Sequence, residues 1–316
     1  TTAALALRPD RKRIITDTFN FPTDLYILQG VAQILGGRHE IVRIDSRDGG
    51  ITPNLDALAE AINDDTALVT FSHVTFKSGY RYDIEAITKL AHSKGALVLW
   101  DLCHSVGVTP IELDAWEVDF AVSCTYKYLN GGPGSPAFLY INKKLQDQAQ
   151  SPLTGWWGQK DPFAFGLDYA PAEGVKRFLV GTQPMLSMLP LETALDPLLE
   201  AGVDAVREKS VMLTEYLITL TDSILAPLGF DLGSPRDPNW RGSHVSLRHP
   251  EAYRINRALI DEMNVLPDFR APDNIRLGLA PLYTTFTEIW DMVDRLRKVI
   301  TEKRYEKYSQ ERLTVT

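Results

Sequence analysis

Short apolar runs alternate with amphipathic segments over the first 142 residues of the chain. Several of the runs are apolar on both faces, which is typical of strands in a parallel sheet covered by helices. The predicted strands are residues 13–17, 39–44, 66–72, 96–101, 118–124 and 136–142. Helical periodicity occupies residues 21–37, 54–64 and 84–95, and each of these segments ends at glycine or a polar cluster. The alternation predicts a doubly wound α/β fold.

The pattern changes after residue 150, where a loop-rich segment with many aromatic residues precedes a long helical region. The helical region covers residues 184–226, short strands are predicted near 229–233, 243–248 and 275–279, and further helices at 250–262 and 285–307. We therefore predict a large α/β domain over residues 1–190. A smaller α+β domain, whose sheet we expect to be antiparallel, follows over residues 191–316.

Composition and charge exclude several classes of protein. The net charge is −8 and basic residues form no long stripe, which argues against partners such as nucleic acid or an anionic membrane. No apolar run reaches membrane-spanning length, and residues 1–13 lack the order of a signal peptide. Cys103 and Cys124 are too few for a disulfide framework and fit a reducing cytoplasm, where a small buried thiol is the ordinary interpretation. The six histidines show no metal spacing, so no metal is expected.

Chemically active side chains collect at the ends of the predicted strands. They are Ser72 and His73 after strand 66–72, Asp101 and His104 after 96–101, Thr125, Tyr126 and Lys127 after 118–124, and residues 20–24 before the first long helix. Ligands of open α/β sheets bind beyond the carboxyl ends of the strands. We therefore expect these groups to share one crevice.

Asp101 and Lys127 allow more than one interpretation. Asp101 either caps the segment that follows it, a common use of aspartate, or is a buried carboxylate that needs a cationic partner. Lys127 is either an ordinary solvated lysine or a lysine held for its amine chemistry, which needs the uncharged form. Pyridoxal phosphate (PLP) meets both functional demands, because a lysine forms its Schiff base and an acid holds its pyridinium nitrogen.

Longer motifs around these residues resemble the kynureninase family, within the fold-type-I PLP enzymes. The motifs are WDLCHSVG, DFAVSCTYKYLNGGPGSPAFLY, NFPTDLYI, FSHVTFKSGYRYDI, LTGWWGQ, GTQPML, RGSHVSLRHPE and IRLGLAPLYTTFTEIWD. The combination of TYKYLNGGPG with APLYTTF is specific to this family. Tyr126 also stands where cysteine desulfurases usually carry histidine before their lysine. The resemblance implies a fold-type-I fold with a mainly parallel sheet of the seven-stranded type, and a homodimer with shared active sites.

The resemblance also implies roles for matching residues. Lys127 would be the Schiff-base lysine, Asp101 would pair with the pyridinium nitrogen, and His104 would lie nearby. Tyr126 would bind the cofactor phosphate and, as a hypothesis, protonate the substrate's Cβ. Arg276 would hold the substrate's α-carboxylate, for which a guanidinium is well suited, unless it is merely a surface arginine on a strand.

Further cofactor contacts come from more distant parts of the chain. Phe21 would stack on the cofactor ring, although a core phenylalanine at a helix start is the alternative. Asp24 would support the same side of the site, and Ser72 would contact the cofactor. Trp156 and Thr182 would reach the phosphate from the other subunit of the dimer. The aromatic ring of an aniline substrate could be bound by Trp156, Trp157 and Tyr283. Packing in the core explains each of these residues equally well.

The activity implied is hydrolysis of L-kynurenine or 3-hydroxy-L-kynurenine to anthranilate or 3-hydroxyanthranilate and L-alanine, in tryptophan catabolism or NAD biosynthesis. One alternative is a cysteine desulfurase or an aminotransferase. A desulfurase needs a nucleophilic cysteine on a mobile loop, whereas the cysteines of this chain lie at the ends of predicted strands. The other is a truncated, non-catalytic family member, because the N-terminal helix start that cradles the phosphate is not represented. Thr1 and Thr2 are expected to be its last trace, and Gln159 stands where some relatives have histidine.

Overall fold

The computed structural model describes residues 1–311, and a six-stranded sheet forms the centre of its larger part. The order is β2–β1–β3–β4–β5–β6, in which β6 is antiparallel to β5 and every other pair is parallel. The strands are β1 (Arg13–Asp17), β2 (Glu40–Ile44), β3 (Thr66–Ser72), β4 (Leu97–Asp101), β5 (Phe120–Cys124) and β6 (Ala137–Ile141). All six predicted strands are confirmed, and the described sheet has one strand fewer than the seven-stranded type.

Helices cover both faces of this sheet. They are α1 (Thr2–Ala6), α2 (Pro22–Ile34), α3 (Leu55–Ala61) and α4 (Ile84–Ser93). The side chains of Asn54 and Asp83 accept hydrogen bonds from backbone N–H groups in the first turns of α3 and α4, which fixes where these helices start. Neighbouring residues Ile14 and Ile15 enter different core clusters and are both fully buried. Burial on both faces is what favours an α/β sheet here.

Residues 151–184 contain only short 3₁₀ turns, and the long predicted helical region follows as two helices. These are α5 (Met185–Ala201) and α6 (Val203–Leu220), separated at Gly202, whose φ of 76° lies in the region that favours glycine. The segment Val203–Leu228 is long and apolar enough to cross a membrane by length and composition alone. Leu213, Leu217 and Leu225 within it are fully buried in a core cluster, as in a core helix of a globular domain.

A second, antiparallel sheet has the order β7–β8–β10–β9. Its elements are β7 (Asp231–Leu232), β8 (His244–Arg248), α7 (Ala252–Met263), β9 (Asp268–Arg270), β10 (Asn274–Gly278) and α8 (Phe286–Thr301). The antiparallel arrangement confirms the prediction for this part of the chain, whereas β9 was not predicted. This sheet packs with α6, α7 and α8 around a core of its own. A domain boundary near residue 190 stays a prediction.

Candidate active site

The carboxyl ends of β4 and β5 open into a cavity of about 510 Å³. Its lining contains seven of the residues proposed from the sequence, namely Phe21, Asp24, Asp101, His104, Tyr126, Lys127 and Arg276. The first six lie close together because the carboxyl ends of the parallel strands meet at one edge of the sheet, as predicted from the sequence. Arg276 arrives from β10 of the second sheet, so the cavity lies where the two sheets meet.

Lys127 lies in a tight turn directly after β5. The N–H of Asn130 donates to the Lys127 carbonyl at 2.9 Å, and the N–H of Gly131 donates to the Thr125 carbonyl at 2.9 Å. Gly107 lets the segment after β4 pass close by, because a Cβ atom there would lie 2.9 Å from the Tyr128 carbonyl oxygen. The turn is therefore fixed by its own hydrogen bonds and by the segment after β4 that packs against it. This arrangement directs Lys127 to the cavity wall.

His104 contacts the amine of Lys127, with 3.1 Å between Nζ and the ring Nε2. Burial lowers the pKa of His104 well below its usual value, and the positive charges of Lys127 and Arg276 lower it further. The imidazole is therefore neutral at neutral pH, and its Nε2 accepts the hydrogen bond from Lys127. Lys127 is not an ordinary solvated lysine, because its amine contacts a buried ring.

Among the described residues, the hydrogen-bond donors to the Asp101 side chain are neutral groups. The backbone N–H of Cys103 donates to its Oδ1 at 2.8 Å, and the Ser72 hydroxyl donates to its Oδ2 at 3.3 Å. Asp101 thus makes the local capping contact and also lines the cavity, and its pairing with a cationic partner stays a prediction. Its carboxylate is available to a cationic group in the cavity. Ser72 is not among the residues that line the cavity, and the cofactor contact expected of it stays a prediction.

Asp24 is the second carboxyl group of the cavity. Burial raises the pKa of Asp24 to about 7, and the negative charge of Asp101 adds to the increase while Lys127 opposes it. The Oδ2 atom of Asp24 is buried and has no hydrogen-bond partner. Phe21 lines the same wall and makes an edge contact with Phe76, with 5.4 Å between the ring centroids. Because 43% of Phe21 is exposed, it is not a core residue.

Arg276 is not a surface arginine, because only 14% of its side chain is exposed. Its Nε and Nη2 atoms donate to the two carboxylate oxygens of Asp268 at 2.9 and 2.7 Å, and Nη1 donates to the Phe76 carbonyl at 2.6 Å. The Nη1 atom also lies 3.4 Å from His104 Nε2. Asp268 therefore holds the guanidinium in a fixed orientation toward the cavity.

Trp156 and Thr182 do not line the Lys127 cavity within the described chain. Trp156 stacks on Trp157, with 4.6 Å between the ring centroids, and lies in a separate surface pocket that includes Gln159 and Phe165. Thr182 is exposed. Of the three aromatic residues considered for an aniline ring, only Tyr283 reaches the site, in an adjoining pocket with Lys127.

Several site residues were missed from the sequence. They are Cys103 and Cys124, Tyr128, His244, Asp268 and Arg270. Cys103 could have been predicted as a site residue, since it follows Asp101, at the end of a predicted strand, by two positions. No local signal marks Asp268 or Arg270, because β9 is only three residues long.

The fold and the site together define the class of protein, a PLP-dependent enzyme with the fold of the class-V aminotransferases. The family model "Aminotransferase class-V" matches residues 2–245. The apo structure of a cysteine desulfurase from Thermococcus onnurineus NA1 superposes with a TM-score of 0.81 at 20% identity, covering 95% of this chain and 76% of that one. A C-DES mutant with glycine covalently linked to its PLP cofactor gives 0.76 at 21% identity, covering 91% and 74%. At these identities the likeness establishes the fold alone.

The sequence relatives define the family more narrowly. The model "Kynureninase C-terminal domain" matches residues 206–296. A kynureninase from Pseudomonas fluorescens is 43% identical over 94% of this chain and 69% of the relative. One from Burkholderia mallei (strain SAVP1) is 41% identical over 92% and 68%. The chain belongs to the kynureninase family, which confirms the resemblance seen in the motifs.

The cavity fits PLP, the cofactor on which this family depends. It presents a lysine amine, a carboxylate bonded only by neutral donors and, in Asp24, a buried oxygen without a partner. Lys127 would hold the cofactor covalently, and Asp101 would hold its ring nitrogen. The phosphate contacts expected of Trp156 and Thr182 stay a prediction.

Proposed function

We propose that this protein hydrolyses L-kynurenine, or its 3-hydroxy form, to anthranilate, or 3-hydroxyanthranilate, and L-alanine. The observation that carries the proposal is the convergence of Lys127, Asp101 and Arg276 on one cavity in a chain 43% identical to a kynureninase. The reaction adds one water and breaks one carbon–carbon bond, so no oxidant or reductant is needed. We place it in the cytoplasm, in tryptophan catabolism or NAD biosynthesis.

PLP, when bound to Lys127, would supply an acceptor for the electrons released at the substrate carbon next to the amino group. Lys127, once its amine is free, takes the proton from that carbon. The neutral His104 accepts from the Lys127 amine and places no second cation beside it. Asp101 would stabilise the positive ring nitrogen of the cofactor.

Arg276 would orient the substrate through its α-carboxylate. The edge formed by Nε and Nη2 is occupied by Asp268, so the substrate would meet the guanidinium at Nη1. One N–H of Nη1 donates to the Phe76 carbonyl, and the substrate would take the other, which lies on the side of His104. Binding there places the amino end of the substrate near Lys127 and its aromatic end toward the pocket that contains Tyr283. Water then adds to the side-chain carbonyl, and the bond between Cβ and that carbonyl breaks.

The direct test is to add L-kynurenine to the PLP-loaded protein and follow anthranilate fluorescence, with L-alanine measured at the end. We expect equal amounts of both products. Release of sulfide from L-cysteine with no anthranilate would support the desulfurase alternative instead. A protein that shows the visible absorption of bound PLP but turns over neither substrate would overturn the proposal.

Tyr126 is the proposed proton donor to Cβ. It is 50% exposed toward the cavity, its ring centroid lies 5.5 Å from Lys127 Nζ, and burial raises its pKa, which keeps the hydroxyl protonated at neutral pH. We expect Tyr126→Phe to lower kcat by about 10²-fold or more, since positioned proton transfer contributes about that much. Steady-state kinetics at equal PLP occupancy measure the effect.

The matched control for this variant is Tyr305→Phe, which removes a hydroxyl in the second sheet's domain, where the ring packs against Arg254. This control should retain normal turnover. If Tyr126→Phe also turned over normally with full PLP occupancy, another group would have to protonate Cβ.

We propose that the active form is a homodimer with shared sites. Large apolar side chains are exposed in and just after the segment that carries Trp156 and Thr182, namely Leu153, Phe163, Phe165, Leu167, Met185 and Leu186. A patch of this kind on one chain favours burial against a second copy. It also explains how two residues remote from Lys127 would reach a PLP phosphate.

Hybrid dimers test this sharing. Lys127→Ala and Trp156→Ala should each have little activity alone. In a hybrid, one site combines the intact Lys127 of one chain with the intact Trp156 of the other, so co-expressed variants should recover about a quarter of the wild-type activity, as random pairing predicts. Isolated hybrids that stay inactive would show that each site is built from one chain.

A further inference from the structure

Cys103 and Cys124 lie side by side on the wall of the cavity. Asp101 pairs with Val122 in the parallel register of β4 and β5, and the ladder continues with the Leu102 N–H donating to the Val122 carbonyl at 2.9 Å. Cys124 is the last residue of β5, and Cys103 lies in the turn two residues after the end of β4.

The two cysteines are in direct contact. The backbone N–H of Cys124 donates to Cys103 Sγ at 3.2 Å, and Cys124 Sγ lies 3.9 Å from the Cys103 carbonyl oxygen. Each sulfur atom thus approaches the backbone of the other cysteine, which is the proximity that a disulfide needs. Both residues are half-buried and both line the cavity.

The surroundings also favour thiolate chemistry at one of the two sulfur atoms. A hydrogen bond from the Cys103 thiol lowers the pKa of Cys124, and the positive charge of Lys127 lowers it further, while burial opposes both effects. The thiolate is the reactive form of cysteine. Cys124 is thus the attacking group of the pair, and Cys103 is positioned to resolve the product.

We propose that Cys103 and Cys124 are an oxidation site that takes hydrogen peroxide and closes to a reversible disulfide in the cofactor cavity. The Cys124 thiolate attacks one peroxide oxygen, the O–O bond breaks, and a sulfenic acid and hydroxide form. Cys103 sulfur then displaces the hydroxyl group from Cys124 as a second water. Two thiols are oxidised, one peroxide is reduced to two waters, and a dithiol reductant reverses the change.

The location implies competition with PLP. The two sulfur atoms share the cavity wall with Asp101 and Lys127, the residues that would hold the cofactor at either end. A bound cofactor would cover the thiols from peroxide. Conversely, the disulfide would tie the turn after β4 to the end of β5 and alter the wall against which the cofactor lies. Oxidation is therefore expected in the cofactor-free protein first.

The test treats the protein with a small excess of hydrogen peroxide, with and without saturating PLP, and digests it without reductant. We expect a cross-linked peptide that contains Cys103 and Cys124 and is about 2 Da lighter than the sum of the reduced peptides, lost on adding dithiothreitol. Saturating PLP should slow its formation about tenfold or more, because bound ligand excludes the reagent.

Single variants separate the roles of the two thiols. Cys103→Ser leaves the attacking thiol without its partner, so a sulfenic acid on Cys124 should accumulate and be trapped by dimedone. Cys124→Ser should react far more slowly. Should either variant fail to fold, the wild-type peptide masses decide alone. Sulfinic acid on either cysteine without cross-linked peptide, or cross-links only between two chains, would overturn the proposal, whatever the outcome with kynurenine.

Discussion

Lys127→Ala is expected to lower kcat for kynurenine by about 10⁴-fold, the upper end of what a positioned acid or base contributes. The variant loses the amine that holds the cofactor and the base at the substrate's Cα. The change should also remove the visible absorption of covalently held PLP. Anthranilate fluorescence and the absorption spectrum measure the two effects separately.

Lys94→Ala is the matched control, because Lys94 is an exposed lysine that follows α4 outside the cavity. It should match the wild type in both measurements. Lys127→Ala should keep the wild-type fold by circular dichroism, since the side chain's single hydrogen bond is to His104. Retained turnover in a folded Lys127→Ala protein would show that Lys127 is not the lysine that holds the cofactor and acts as the base.

Asp101→Asn has the second largest expected effect. The amide keeps the shape of the carboxylate, and its oxygen can still accept from the Cys103 N–H while its NH₂ group donates to the Ser72 oxygen, so the main loss is the charge. Leaving a cation without its buried partner costs about 3 kcal/mol, so kcat/KM should fall about 10²-fold with PLP bound. Asp101→Glu, which restores the charge, should recover part of the loss.

The same variant has a readout that does not depend on turnover. The charge of Asp101 helps to raise the pKa of Asp24 to about 7, so Asp101→Asn should lower the pKa of Asp24. A carboxyl ¹³C NMR titration of the cofactor-free protein measures this change. Asp10→Asn, at an exposed position outside the cavity, should leave the pKa of Asp24 unchanged. An unchanged pKa in Asp101→Asn would show that the two carboxyl groups do not interact.

The strands of the structure show which elements can be predicted from the pattern of apolar and polar residues. Strands such as Thr66–Ser72 are buried along their whole length, so their apolar runs are easy to recognise. The strand Asp268–Arg270 was missed because three residues with two charges carry no periodic signal. Its position depends on pairing with Asn274–Gly278, a contact that no short segment encodes.

The site likewise contains residues that the sequence predicts and contacts that depend on packing. Asp101 and Lys127 were found because each follows a recognisable strand, and the carboxyl ends of parallel strands converge. The contact between Arg276 and Asp268 could not be found this way, since it depends on the register of β9 and β10. The hydrogen bond from the Ser72 hydroxyl to Asp101 also could not be found from the sequence, because it joins residues on two different strands.

The sequence by itself determined the alternation of strands and helices, the strand ends that carry the reactive groups, and the family. These properties depend on periodicity and on motifs, which are local in the chain. Only the tertiary structure decided that His104 contacts Lys127, that Asp24 titrates near pH 7, and that Cys103 meets Cys124. Distances between remote residues and their burial are products of packing, and these quantities determine charge state and reactivity.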